Sequence, residues 1–275
     1  MFEDVIEIKG VDPGPTSMVI AGVHGDEKSG VAAFAAILPT LSLQKGRVFF
    51  AYGSPRAITA HTRFVEANLN RLFKPDEALS DEERKSYEYT RAQFLKQYLD
   101  QADALLDIHA SYVPQSRPFV ICEANAKDIV PFLPVDLVVT GFDAVQPGGT
   151  DYYMNSRDKV GICIETGYLG DPSSLQVAEQ GVYAFLSARG HMVGDTPTYP
   201  QSYIRMDSLY LTKNESFTRA REFADFEDVR THQELGEDGD TVVRAEYDGV
   251  IVFARDITGI GEEAFLLGRR TAHVA

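Results

Sequence analysis

The chain has 275 residues, 44% of them hydrophobic, and a formal net charge of −15 at pH 7. That length buries one large core, or a large domain plus a small one. With no Lys/Arg cluster the acidic balance excludes a nucleic-acid footprint, and no apolar run approaches the roughly 20 residues that span a bilayer. An acidic surface also repels anionic ligands at long range, so an anionic substrate needs specific arginines near it. The N-terminus, Met1-Phe2-Glu3-Asp4, has no basic region and no apolar stretch of signal-peptide length, which gives the expectation of a cytoplasmic protein.

Short apolar runs alternate with helical patterns through the first two-thirds of the chain. Strands are expected at Val5–Ile8 and Ser17–Val23, the second leading into Gly22-Val23-His24-Gly25-Asp26-Glu27 and a helix from Glu27 to Leu38. A strand at Val48–Tyr52 precedes the polar, loop-like stretch Thr62–Arg71. Ser80 followed by Asp81, Glu82 and Glu83 starts a helix running to Leu99, with Tyr87, Phe94, Leu95 and Tyr98 as its apolar stripe. Strands follow at Ala104–His109, Pro118–Cys122, Asp136–Val139 and Val160–Glu165, and a helix at Ser174–Ala188 that Gly190 ends. The alternation predicts an α/β fold, a mixed sheet with helices on both faces, where ligands bind beyond the strand ends.

Composition shifts after His191. Gly194–Pro200 reads as a linker, and strands at Ser208–Thr212, Thr241–Ala245, Val250–Ala254 and Glu263–Gly268 are punctuated by Asp-Gly and Gly-Ile-Gly turns. Two domains are expected, 1–197 and a small β-rich one at 198–275. The two cysteines, Cys122 and Cys163, sit inside apolar runs and read as buried reduced thiols.

Four segments carry chemistry. His24 and Glu27 sit three apart where a strand hands over to a helix, a spacing that lets both converge on one ion; the alternative is a helix start whose Asp26 and Glu27 favour the positive dipole end. His109 closes an apolar strand, as a ligand or as a hydrogen-bonded core histidine. Asp107 shares its side of the strand and either orients a ligand or makes a salt bridge. Glu165 ends another apolar strand, where desolvation raises a carboxyl toward the range of a general base; the alternative is a surface carboxylate. Arg63, Asn70 and Arg71 come from one loop and have the donors to hold a carboxylate or an oxyanion. Tyr153 and Arg157, after two glycines, have the reach to touch a substrate side chain. Two imidazoles and two carboxylates at three strand exits can hold one divalent metal and leave a base for water.

In combination these segments resemble the succinylglutamate desuccinylase/aspartoacylase family of zinc carboxypeptidase-like metallohydrolases. The matching residues are His24-Gly25-Asp26-Glu27, Asn68-Leu69-Asn70-Arg71 with Leu72-Phe73, Asp107-Ile108-His109 and Glu165-Thr166-Gly167, in the family's order. The resemblance implies zinc, or another divalent metal, on His24, Glu27 and His109. It implies that Glu165 activates the attacking water and then protonates the leaving amine, and that Arg63 polarises the scissile carbonyl. It gives Asn70 and Arg71 the grip on the substrate's carboxylate, and Tyr153 and Arg157 substrate contacts. The family usually has Asp where this chain has Asn68, a residue that steadies the first zinc histidine. The expected activity is zinc-dependent hydrolysis of an amide next to a carboxylate, in an N-acyl amino acid before a carboxypeptidase or cell-wall peptide substrate. A metal-dependent binding protein without catalysis is the alternative of another class. The partner is a small molecule or short peptide bearing a carboxylate, with neither nucleic acid nor membrane, and homo-oligomerisation is left open.

Overall fold

The protein is described here from a computed structural model covering residues 5–194 and 196–273. The tetrapeptide Met1–Asp4 and Asp195 of the linker lie outside the described residues. In chain order the elements are β1 (Ile6–Lys9), β2 (Asp12–Ala21), α1 (Lys28–Ile37), β3 (Lys45–Tyr52), α2 (Pro55–Ala60), α3 (Asp81–Lys85), α4 (Tyr87–Leu99), β4 (Ala104–Ser111), β5 (Phe119–Cys122), β6 (Leu137–Thr140), α5 (Phe142–Val145), α6 (Thr150–Asn155), β7 (Val160–Tyr168) and α7 (Ser173–Ala188). The strands β8 (Ser202–Leu211), β9 (Ser216–Arg219), β10 (Glu227–Val229), β11 (Glu234–Asp238), β12 (Thr241–Arg244), β13 (Gly249–Val252), β14 (Ile257–Thr258) and β15 (Glu263–Thr271) complete it.

The expected mixed α/β architecture is present. An 11-stranded sheet runs β1-β3-β2-β4-β7-β5-β6-β8-β15-β13-β10, and a separate antiparallel sheet runs β12-β11-β9-β14. Strands β3, β2, β4 and β7 are mutually parallel, and β5 joins β7 antiparallel. Their side chains explain the arrangement. In β2, Met18 and Ile20 enter the core beneath α4 with Leu95, Leu99 and Leu105. Val19 and Ala21 enter the opposite core with Phe34 of α1 and Phe185 of α7. A strand buried on both faces reads as a continuous apolar run, which is why these strands stand out in the sequence. Gly30 lets α1 lie close to the sheet: a Cβ there would meet Ala21 Cβ and Ile108 Cγ2 at 2.9 Å.

Several expectations are adjusted. The helix expected over 81–99 is two helices, because Ser86 is extended (φ −69°, ψ 157°) and its hydroxyl accepts the Tyr89 N–H, starting α4 afresh. The predicted acidic start is a full capping box of Ser80 and Glu83. Helices α2, α5 and α6, of four to six residues, are too short to show a period. Beyond the linker, β8 pairs parallel with β6, so the large sheet continues into the C-terminal segment through β15, β13 and β10. Cys122 and Cys163 are free and buried, and burial pushes both thiols up. Among the described residues no helix is long and apolar enough to cross a membrane.

Candidate active site

The site forms where β2, β4 and β7 end. After Ala21 the chain must turn sharply under α2, and the glycines make that turn. Gly22 has φ +70°, and a Cβ on Gly25 would lie 2.0 Å from the carbonyl carbon of Ala57. Glu27 precedes α1 as its N-cap, yet its side chain makes no cap bond and turns inward instead. Neighbouring strands bring His109 on β4 level with Glu165 on β7.

His24, Glu27 and His109 are all buried and offer ligand atoms within 4.8 Å of one another. Glu27 lies between the imidazoles: Oε1 is 2.7 Å from His24 Nδ1, and Oε2 is 3.0 Å from His109 Nδ1 and accepts the Ala110 N–H. Asn68 Oδ1 faces His24 Nε2 at 3.1 Å and also accepts the Asn70 N–H, which fixes the orientation of its amide. His24 therefore donates through Nε2. Asp107 Oδ2 lies 3.1 Å from His109 Nε2 and accepts the Thr150 hydroxyl.

The protonation states follow from these contacts. Burial, only partly offset by Glu27, lowers the His24 pKa to about 4, so at neutral pH it is uncharged. An uncharged His24 with its proton on Nε2 presents a lone pair at Nδ1, 2.7 Å from a carboxylate oxygen. Two acceptors at that distance repel unless a cation lies between or beside them, and a His₂Glu donor set suits a divalent metal. Burial opposes charge on His109, but Asp107 and Glu27 outweigh it and hold its pKa well above the ordinary value. Burial likewise works against ionised Glu27, yet the charge and N–H of His109 beside it help to hold its pKa well below the ordinary value. For Glu165 the compensation from His109 and Arg63 falls short. Burial and then Glu27 push its pKa to about 8, and Oε2 has no hydrogen-bond partner.

Arg63 donates to Glu27 Oε1 at 3.1 Å. Its loop is anchored by a residue that carries no motif. Glu88, fully buried at the start of α4, accepts the backbone N–H groups of Val65, Glu66 and Ala67 at 2.8–3.2 Å. Replacing Glu88 by Ala strands three donors, and the expected loss of unfolding free energy is about 2–4 kcal/mol. Denaturant midpoints measure this; an unchanged midpoint would mean that the loop holds itself.

All three metal-type residues, Glu165, Arg63, Asn70 and Arg71 line one cavity with about 830 Å³ of empty space, its open mouth included. Arg71, however, does not present a free fork. Its Nε and Nη2 each donate at 2.8 Å to the two oxygens of Glu263, and Nη1 donates to the Asn70 carbonyl. Tyr153 and Arg157 are not brought to the cavity. Arg157, in the turn after α6, stacks on the Tyr153 ring at 3.5 Å, with Tyr153 buried against Phe73 and its hydroxyl donating to Asp100. Neither side chain is among those lining the cavity, so the expected substrate contact of Tyr153 and Arg157 is not one this arrangement brings together. Sequence reasoning did not single out Tyr112, Asp143, Gln146, Asp151, Arg255 and Glu263, which add polar and charged groups to the lining. Only Glu263 had a local signal, as a charge opening the apolar strand expected at Glu263–Gly268.

Fold and cluster define a class: an α/β protein with a hydrolase-type pocket at the strand ends of a mixed sheet. The sequence pattern described as "Succinylglutamate desuccinylase/Aspartoacylase catalytic domain" matches residues 13–189, and the chain belongs to that family. It is 24% identical over 276 aligned positions to a succinylglutamate desuccinylase of Pseudoalteromonas atlantica, covering 90% of this chain and 79% of that one. It is 27% identical to the N-alpha-acetyl-L-2,4-diaminobutyric acid deacetylase of Halomonas elongata, covering 70% of this chain and 60% of that one. In fold it is similar to the succinylglutamate desuccinylase structure from Vibrio parahaemolyticus, with a TM-score of 0.80, 20% identity and coverage of 97% and 86%. The product-bound ectoine utilization protein EutE (DoeB) of Ruegeria pomeroyi gives a TM-score of 0.72 at 20% identity, covering 96% and 88%.

Proposed function

We propose that the protein is a metal-dependent deacylase that hydrolyses the amide bond of an N-acyl amino acid. The observation that carries this reading is Glu165: a buried carboxyl with an unpartnered oxygen, beside His24, Glu27 and His109 in one cavity. Relatives named as deacylases of small acylated amino acids support it. A divalent metal, zinc in the first instance, held by His24, Glu27 and His109, would polarise the scissile carbonyl and acidify water.

The chain's own groups divide the remaining work. Glu165 takes the proton of the attacking water and returns it to the leaving amine; a raised pKa makes it an effective donor in the second half. Arg63, positioned by Glu27 and by its loop, faces the negative charge that develops on the carbonyl oxygen. Asn68 holds the His24 ring, and Asp107 holds the His109 ring. Residues 198–275 act as a second unit that walls the pocket with Phe253, Arg255, Glu263 and Phe265. Asn70 and Arg71 hold the far side, where the Glu263 ion pair decides what they can bind.

The test is a screen of N-acetyl and N-succinyl amino acids and short peptides, with the zinc-loaded and the chelator-stripped protein. Release of free amino acid from the N-acyl substrates, lost on stripping and restored by zinc, is the expected result. Turnover of peptides alone would point to a peptidase, and undiminished turnover after stripping would remove the metal from the reaction.

A further inference from the structure

We propose that Glu263 is a specificity-determining residue that occupies Arg71 and turns the pocket toward N-acyl substrates whose side chain is cationic rather than anionic. This rests on the deacylase reading above and deepens it. Five carboxyl and three guanidinium groups line the cavity. Arg63 faces Glu27, and Arg71 has both prongs of its inner edge on Glu263. Gln146 Nε2 donates to the same Glu263 Oε2 at 2.7 Å, so the carboxylate is held from two sides. Burial works to raise the Glu263 pKa, but Arg71 and then Arg255 outweigh it and keep the carboxylate ionised. Glu263 is also aimed by the backbone: the β15–β8 register shifts between Glu263 and Phe265, and a bulge of this kind redirects a side chain.

A guanidinium already neutralised by a bidentate carboxylate attracts a second one weakly, and the second would sit against the first. The neighbouring wall adds to this. Asp143 and Asp151 line the cavity, and no Lys, Arg or His among the described residues comes within ion-pair distance of either. Burial first, and then each other's charge or that of nearby carboxylates, hold both carboxyls above their usual range, Asp143 at about 7. An ammonium on the substrate would relieve that. Arg255 donates its Nε to the Glu263 carbonyl and lies over the Tyr112 ring, and among the described residues its terminal nitrogens make no hydrogen bond, which leaves them for the single carboxylate of an amino acid. The substrate class that matches is an Nα-acylated diamino acid.

Three ligands of matched length separate the cases: the N-acetyl derivatives of L-glutamate, L-glutamine and L-2,4-diaminobutyrate. Their kcat/KM values and calorimetric affinities are measured with the wild-type protein, Glu263→Gln and Arg71→Met. The wild type is expected to favour the diaminobutyrate derivative over the glutamate derivative by about tenfold or more, with glutamine between. Glu263→Gln should shrink that ratio at least tenfold, and Arg71→Met, which takes the bidentate partner from Glu263, should widen it. A wild-type preference for the glutamate derivative, or an unchanged ratio in Glu263→Gln, overturns the proposal. Hydrolysis in the reversed order leaves the deacylase reading standing and removes the charge selection. Binding in the expected order without hydrolysis does the opposite.

Discussion

Glu165→Gln is expected to keep its metal and to lose about 10²–10⁴-fold in kcat, the usual contribution of a positioned general acid–base. The substitution is isosteric, and the side chain is buried with no hydrogen-bond partner on Oε2, so little packing is disturbed. Its charge is also disfavoured, since burial and Glu27 already raise the pKa to about 8. A neutral amide therefore costs the fold nothing electrostatic and removes only the proton carrier. Metal content by elemental analysis and kcat on the best N-acyl substrate are the two readouts. Wild-type turnover with full metal would move the base elsewhere in the cavity.

His109→Ala should reduce bound metal to background and lower stability as well. The imidazole stands between two buried carboxylates, Asp107 and Glu27, at 3.1 and 3.0 Å. Without it they face an empty space with Arg63 as the remaining nearby cation, and breaking a buried pair of this kind costs about 3 kcal/mol or more before relaxation. Protonation of one carboxyl recovers part of that, so the loss should be smaller in mild acid than at neutral pH. Elemental analysis and denaturant midpoints at two pH values check both parts. Undiminished metal would show that His109 is not a ligand.

Much of the central site was legible because its residues close apolar runs. His109 and Glu165 interrupt strands buried on both faces, where a charged or polar side chain needs a reason to be there. Asp107 is two residues before His109, and strand alternation alone put them on one side. The turn at His24–Glu27 showed itself through its glycines. Other parts had no local signature. Glu88 serves a loop 21–23 residues earlier in the chain, and its place in an acidic helix start looks like ordinary capping. Tyr153 and Arg157 have a helical spacing, but α6 stops at Asn155, and where Tyr153 points depends on how α6 packs against β4 and β7. The Arg71–Glu263 pair spans 192 residues, and no spacing rule reaches that far. The C-terminal strands were legible as strands, but a sequence does not say that β8 adopts β6 as its neighbour.

That β6–β8 pairing has a mechanical consequence. A continuous backbone ladder runs from the strand bearing His109, through β7, β5, β6 and β8, to the strand bearing Glu263. Tyr112 ties the same two regions again by donating to the Phe253 carbonyl, and Ser111 by donating to Asp225. A jaw-like opening between the two walls would have to tear main-chain hydrogen bonds, whereas reorienting Arg255 or Tyr112 at the mouth breaks one or two contacts. Substrate and product should therefore pass through a gate of side chains in a rigid frame, and the geometry that discriminates between ligands is in place before any of them arrives.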